Sequence, residues 1–318
     1  MRRICLRYRA EQALLLLMNT CHHRMRYPNQ ICPYTSRPVG NIEASREHIV
    51  PDAIGGPDKF SLAACKQYNS RYGATVDVRL TKSPLMGMLA AAADVETRNG
   101  PASWTVQGQL VADGSPVEIT GAYSTASFRF RKPVAVDGSS PGSQVIKGFG
   151  AGLDKEVERV SKDLQRKGRR LEVTGTQNVG SAVRGHFEHN LAEAAQGLTK
   201  IAYLATVWAL GDGFIGTAAG ALYRSWIDAA PSSDALSKAG LKALDSSVFK
   251  RPGRPTQHDI VCFVSGHTVV TGVRLFNERL FEIAIAVEVP EVRLPDQRGR
   301  LITIDAVTKT FTDELMVP

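Results

Sequence analysis

Residues 45–56 read S-R-E-H-I-V-P-D-A-I-G-G, and residues 65–73 read C-K-Q-Y-N-S-R-Y-G. No other feature constrains the chain as much as this pairing. Ile49 and Val50 are β-branched and favour an extended backbone. Pro51 has no N–H to give to a ladder, so the strand stops there. Ala53-Ile54-Gly55-Gly56 follows as a loop. Ser61 to Val76 predicts a helix with a serine N-cap that carries Cys65 and Asn69 and is loosened at Gly73. With a further strand around Cys32, the order is strand, strand, helix.

In that arrangement Glu47 and Asn69 approach each other across the strand–helix contact. A carboxylate and an amide carbonyl are hard oxygen ligands of the kind Mg²⁺ or Mn²⁺ takes, leaving room for water and phosphate oxygens. Histidine is the side chain that titrates near neutrality unaided, so His48 is placed to take a proton from an attacking water. A metal there would stabilise charge on a scissile phosphate. The chemistry expected of such a set is phosphodiester hydrolysis.

The motif E-H-I-V-P-x-A-I-G-G … C-x-x-x-N-x-x-x-G resembles the HNH endonucleases, in particular the bacterial group written E-H-I-I-P-x-A-L-G-G … C-x-x-C-N-x-x-x-G. The RNA-guided CRISPR HNH nucleases carry a similar D-H-I-V-P segment. The resemblance implies a ββα-metal module with His48 as general base. Glu47 and Asn69 would be metal ligands, and Ser61 stands where an asparagine usually orients the histidine. It also implies action on DNA, with RNA as an alternative, and a role in restriction or antiphage defence. The group often holds a structural Zn²⁺ through two C-x-x-C pairs. Here Cys32-Pro33-Tyr34-Thr35 and Cys65-Lys66-Gln67-Tyr68 each keep only the first cysteine. Four S or N ligands are needed, so the expectation is no zinc, with Tyr34 and Tyr68 filling the space.

The rest of the chain suits a larger α+β domain. The 318 residues are 43% hydrophobic and 22% charged, enough for about two cores. Residues 1–30 read as a basic extension, 31–85 as the motif module and 100–318 as a mixed domain. The run Ala13–Met18 is too short for a signal peptide and reads as a helix, or as sequence upstream of a natural start near Met25. Trp104–Val111 and Glu118–Arg131 alternate as strands around the Asp113-Gly114 turn signal. Gly138–Ser143 is a loop. Leu153–Arg170, Leu198–Leu210 and Thr217–Ile227 have helical periodicity. Strand patterns return at Asp259–Val264, Thr268–Phe276, Phe281–Val289 and Arg300–Val307. His186-Phe187-Glu188-His189 reads as a polar helix surface rather than a zinc motif.

Five scattered cysteines argue for a reducing compartment, and the chain reads as cytoplasmic. A net charge of +8 favours an anionic partner. Arg46, Arg71 and Arg79 flank the motif as candidate phosphate contacts, and Gln165–Arg170 is the densest basic run. A homodimer fits an enzyme that cuts one strand at a time, and the C-terminal domain would serve a ligand or protein partner. Two other readings stand beside the nuclease: a catalytically degenerate nucleic-acid-binding module, and a regulatory protein whose function lies in the C-terminal domain.

Overall fold

The computed structural model describes residues 27–112, 114–122, 125–130, 134–137, 144–147, 151–171, 182–232, 242–243, 248–249, 253–289 and 299–316. The chain is α+β. It begins with an antiparallel hairpin of β1 (Ala44–His48) and β2 (Ser61–Cys65), in which His48 faces Ser61 and Ala44 faces Cys65. Helix α1 (Lys66–Tyr72) follows at once. It runs through a π-helical turn at Gly73–Asp77 into the short α2 (Val78–Thr81). The loosening expected at Gly73 is this π turn, an inserted-residue irregularity of the kind that often marks functional positions.

Two expectations for this module are corrected. S-L-A-A-C is a strand, not the first turns of a helix, and Cys65 rather than Ser61 stands at the helix N-terminus. Alanine's helical preference is worth only tenths of a kcal/mol over most residues, less than burying Leu62 and Ala64 in the core. There is also no strand at Cys32, only an isolated bridge between Ile31 and Pro38. The outer edge of β2 is closed by a side chain instead. Asn29 Nδ2 donates to the Ala63 carbonyl at 2.8 Å, and Asn29 Oδ1 accepts from the Ala63 N–H at 2.8 Å.

After α3 (Pro84–Ala92), capped by Ser83, come β3 (Ser103–Leu110), β4 (Pro116–Ala122) and β5 (Thr125–Phe130). With β6 (Val183–His186) they form a four-stranded antiparallel sheet in the order β6-β3-β4-β5. A separate pair joins Val134–Asp137 to Gln144–Lys147. Helix α4 spans Ala151–Arg166. The Gly138–Ser143 loop lies outside the described residues, as do residues 1–26. His186-Phe187-Glu188-His189 is not helical: His186 ends β6, and the next residues lead to Asn190, whose side chain caps helix α5 (Leu191–Leu210).

Helix α5 begins two turns earlier than its apolar run suggests, because Asn190 accepts from the N–H groups of Ala192 and Glu193. From Gln196 to Val207 every residue is buried, the pattern of a helix enclosed on all sides. It lies against α6 (Ala218–Asp228) and across a second sheet. That sheet is antiparallel and built from β7 (Gln257–Ser265), β8 (Thr268–Arg274), β9 (Glu282–Glu288), β10 (Gly299–Asp305) and β11 (Thr310–Met316). The pair Lys242–Ala243 is added beside β9, giving the order (242–243)-β9-β8-β7-β10-β11. One hydrophobic core runs from Cys32, Ile49 and Phe60 of the hairpin region through α5 to Ile260, Ile302 and Ala306 of this sheet. Among the described residues, no helix is long and apolar enough to cross a membrane.

Candidate active site

Side chains alternate across a strand, and on β1 this alternation sorts the motif into two faces. Arg46 and His48 fall on one, Ser45 and Glu47 on the other. On the first face His48 is 14% exposed, and its Nε2 lies 2.9 Å from Asp58 Oδ1. Arg46 Nη1 is 2.7 Å from the same oxygen. Asp58 is 66% exposed, and the hydrogen bonds from His48 and then from Arg46 hold its carboxyl down at about 2. It is therefore ionised at neutral pH and only accepts. That assigns the proton to His48 Nε2 and leaves Nδ1 as the basic nitrogen of the neutral ring.

The Asp58 turn is itself fixed. Ser61 Oγ donates to the Asp58 carbonyl at 2.8 Å, so the Ser61 hydroxyl is engaged with the loop that carries Asp58. The first part of the loop is clamped from the far sheet. His258 Nε2 donates to the Ile54 carbonyl at 2.7 Å, and His258 Nδ1 accepts from the Phe276 N–H at 3.0 Å. His258 is fully buried, and burial pushes its pKa down to about 4. Gly55 has φ +88° and sits so close to β10's end that an added Cβ would lie 2.4 Å from the Ala306 carbonyl oxygen. A Cβ on Gly56 would meet the Val50 oxygen at 1.7 Å. The two glycines are required by these contacts. Asp52 pairs with Lys309 at 2.6 Å.

On the second face, Glu47 is 1% exposed and its Oε1 lies 2.6 Å from Lys200 Nζ, itself 1% exposed, on α5. Lys200 Nζ also reaches Asp77 Oδ1 at 2.7 Å and Oδ2 at 2.6 Å. Burial pushes the Glu47 carboxyl above the ordinary range, against the pull of Lys200. Burial also opposes the Lys200 charge, but Glu47 and Asp77 outweigh it and raise the lysine's pKa. The Tyr34 hydroxyl neighbours Glu47, though neither it nor Glu47 Oε2 makes a hydrogen bond of normal geometry. Asn69 Nδ2 donates to the Arg46 carbonyl at 2.7 Å and to Ser45 Oγ at 2.9 Å, tying α1 to β1.

These partners decide how well a divalent ion fits the expected ligands Glu47 and Asn69. Mg²⁺ demands near-octahedral oxygens at about 2.0–2.1 Å and keeps several waters. Glu47 is sealed from solvent and its Oε1 already faces a cation, whereas Asn69 engages the strand through its NH2 group alone. As placed, the Glu47 carboxylate does not fit the ion, which runs against the expectation for that residue. Among the described residues no cluster of three or more His, Cys, Asp or Glu side chains could hold a metal.

The cysteine pair of the motif does come together: the Cys65 N–H points at Cys32 Sγ, 3.2 Å away. Beside it the Tyr34 ring stacks with Tyr68 at 6.5 Å and tilts onto Tyr72 at 4.6 Å. Arg71 lies 4.5 Å from the Tyr72 ring centre and pairs with Asp228 of α6. Arg79 faces Glu193 at 3.7 Å. Of the three arginines singled out, only Arg46 belongs to the His48 face. Asp58 and Lys200 were not singled out in the sequence. Asp58 resembled an ordinary turn residue, whereas Lys200 carried a signal: it is a lone cation within an otherwise apolar helical run.

Residues 32–85 match the family model of the HNH endonucleases. Comparison with curated proteins and with solved structures finds no match.

Proposed function

Taking the HNH module at residues 32–85 as premise, we propose that the protein is an endonuclease that hydrolyses phosphodiester bonds in DNA, with His48 as general base. The observation that carries this reading is the His48–Asp58 contact at 2.9 Å on the partly open face of β1. Asp58 holds the ring by Nε2–H, which leaves Nδ1 to take a proton from a water as its oxygen bonds to phosphorus and the P–O bond to the leaving nucleoside oxygen breaks, that oxygen taking a proton from solvent. Arg46, bound to the same carboxylate oxygen, keeps positive charge beside the ring for the incoming phosphate. HNH endonucleases commonly use a divalent ion, but the Glu47 carboxylate, buried against Lys200, does not fit one. Restriction of foreign DNA or antiphage defence is the biological setting the family suggests.

A second reading, a nucleic-acid-binding module without catalysis, is favoured by one observation: the Glu47 carboxylate is committed to Lys200. Nicking of supercoiled plasmid in MgCl₂ or MnCl₂ separates the two. His48→Ala should lower the rate by about 10²–10⁴-fold if His48 is the base, with plasmid binding retained. Equal rates for wild type and variant would refute the assignment, and inert proteins that still bind DNA would establish the second reading.

A further inference from the structure

We infer that the Lys200 ammonium is the resident cation of this HNH module, occupying on Glu47 the place expected of a divalent ion. An ammonium has three N–H donors and no acceptor. Three oxygens surround Lys200 Nζ at 2.6–2.7 Å, Glu47 Oε1 and the two Asp77 oxygens, which lie too close together to take more than one N–H between them. The geometry is built for it from both sides. On the module side, the π turn ends at Asp77 and presents that carboxylate to α5. On the α5 side, one turn before Lys200, Gly197 allows the close approach: a Cβ there would lie 2.9 Å from the Leu80 side chain. A buried cation is retained only when charge and hydrogen bonds compensate its desolvation, and here it is flanked by the Glu47 and Asp77 carboxylates. Lys200 and Gly197 lie outside the family-matched residues 32–85, so the charge balance of the module is supplied by the rest of the chain. The inference uses the HNH reading only for the role it reassigns. It stands or falls separately from catalysis, since plasmid nicking by His48 is scored independently of where a metal binds.

The test is Mn²⁺ binding by full-length wild type and Glu47→Gln, followed by the electron paramagnetic resonance of free Mn²⁺. The two proteins should bind Mn²⁺ alike, whether strongly or not at all. Binding by wild type that a folded Glu47→Gln protein loses would overturn the inference. Should Glu47→Gln fail to fold, wild-type crystals soaked in MnCl₂ decide the matter. An anomalous peak on Glu47 overturns the assignment, and density for Lys200 with no such peak supports it. Lys200→Met should lower the thermal midpoint by on the order of 10 °C, because the buried Glu47 carboxylate is then left without its cation, beside the half-buried Asp77. Adding Glu47→Gln to it should recover part of the loss. An unchanged midpoint in Lys200→Met would also overturn the inference.

Discussion

The clamp on the Ile54 loop depends on a neutral histidine, so acid should loosen it. His258 has a pKa of about 4 in the folded protein, against about 6.5 for an unperturbed histidine. The folded pKa is the lower one, so the unfolded chain binds more protons as pH falls below 6.5. The contribution of His258 is therefore complete above pH 6.5, declines between pH 6.5 and 4, and changes no further below that. The full difference corresponds to about 3 kcal/mol, of which roughly 2 kcal/mol is gone by pH 5. The structural cause is specific: a protonated Nδ1 would point a second donor at the Phe276 N–H, which now donates to it. The assay is denaturant unfolding of wild type and His258→Gln at several pH values between 5 and 7. Subtracting the variant removes other groups that titrate there, including His189, whose pKa burial also lowers. The depressed Asp58 carboxyl acts at lower pH. Wild type should lose about 2 kcal/mol more than the variant across this range. Parallel pH dependences would refute the argument that a buried neutral imidazole holds the loop.

Two further perturbations address the same loop. Asp58→Asn keeps the size of the side chain but removes the charge that fixes the His48 tautomer. Nicking should fall roughly tenfold with unfolding unchanged, and full activity would exclude Asp58 as a positioning residue. Gly55→Ala imposes a left-handed conformation on a residue with a Cβ, against the Ala306 backbone. Unfolding measurements should show a loss of about 3 kcal/mol or more, and a loss below about 0.5 kcal/mol would mean the contact is not tight.

Much of the architecture was readable from local pattern. The strands at Asp259–Val264 and Thr268–Phe276 announce themselves by consecutive β-branched residues, and the helices around Leu198 and Thr217 by their apolar periodicity. The order Glu47-His48, Pro51, Gly55-Gly56 marked one strand and the loop after it, because proline and glycine act through the local backbone. What the pattern did not carry were decisions made by distant partners. Ser61–Cys65 becomes a strand because β1 and the Asn29 side chain pair with it. Glu47 is drawn to Lys200, and Asp58 to His48, through contacts that spacing does not encode. The face-by-face alternation of β1 could have warned that Glu47 and His48 diverge.

The clamp between His258 and Ile54 joins residues 204 positions apart. A ribosome adding roughly 5–20 residues per second delivers the histidine about 10–40 s after the loop it must hold. The hairpin bearing His48 thus spends that interval without its support, and the Lys200 ammonium also arrives late, 123 residues behind Asp77. A nascent or truncated chain would carry the motif without the framework that organises it. The order of synthesis is thus a timing device: the site is organised only after the motif itself has been made.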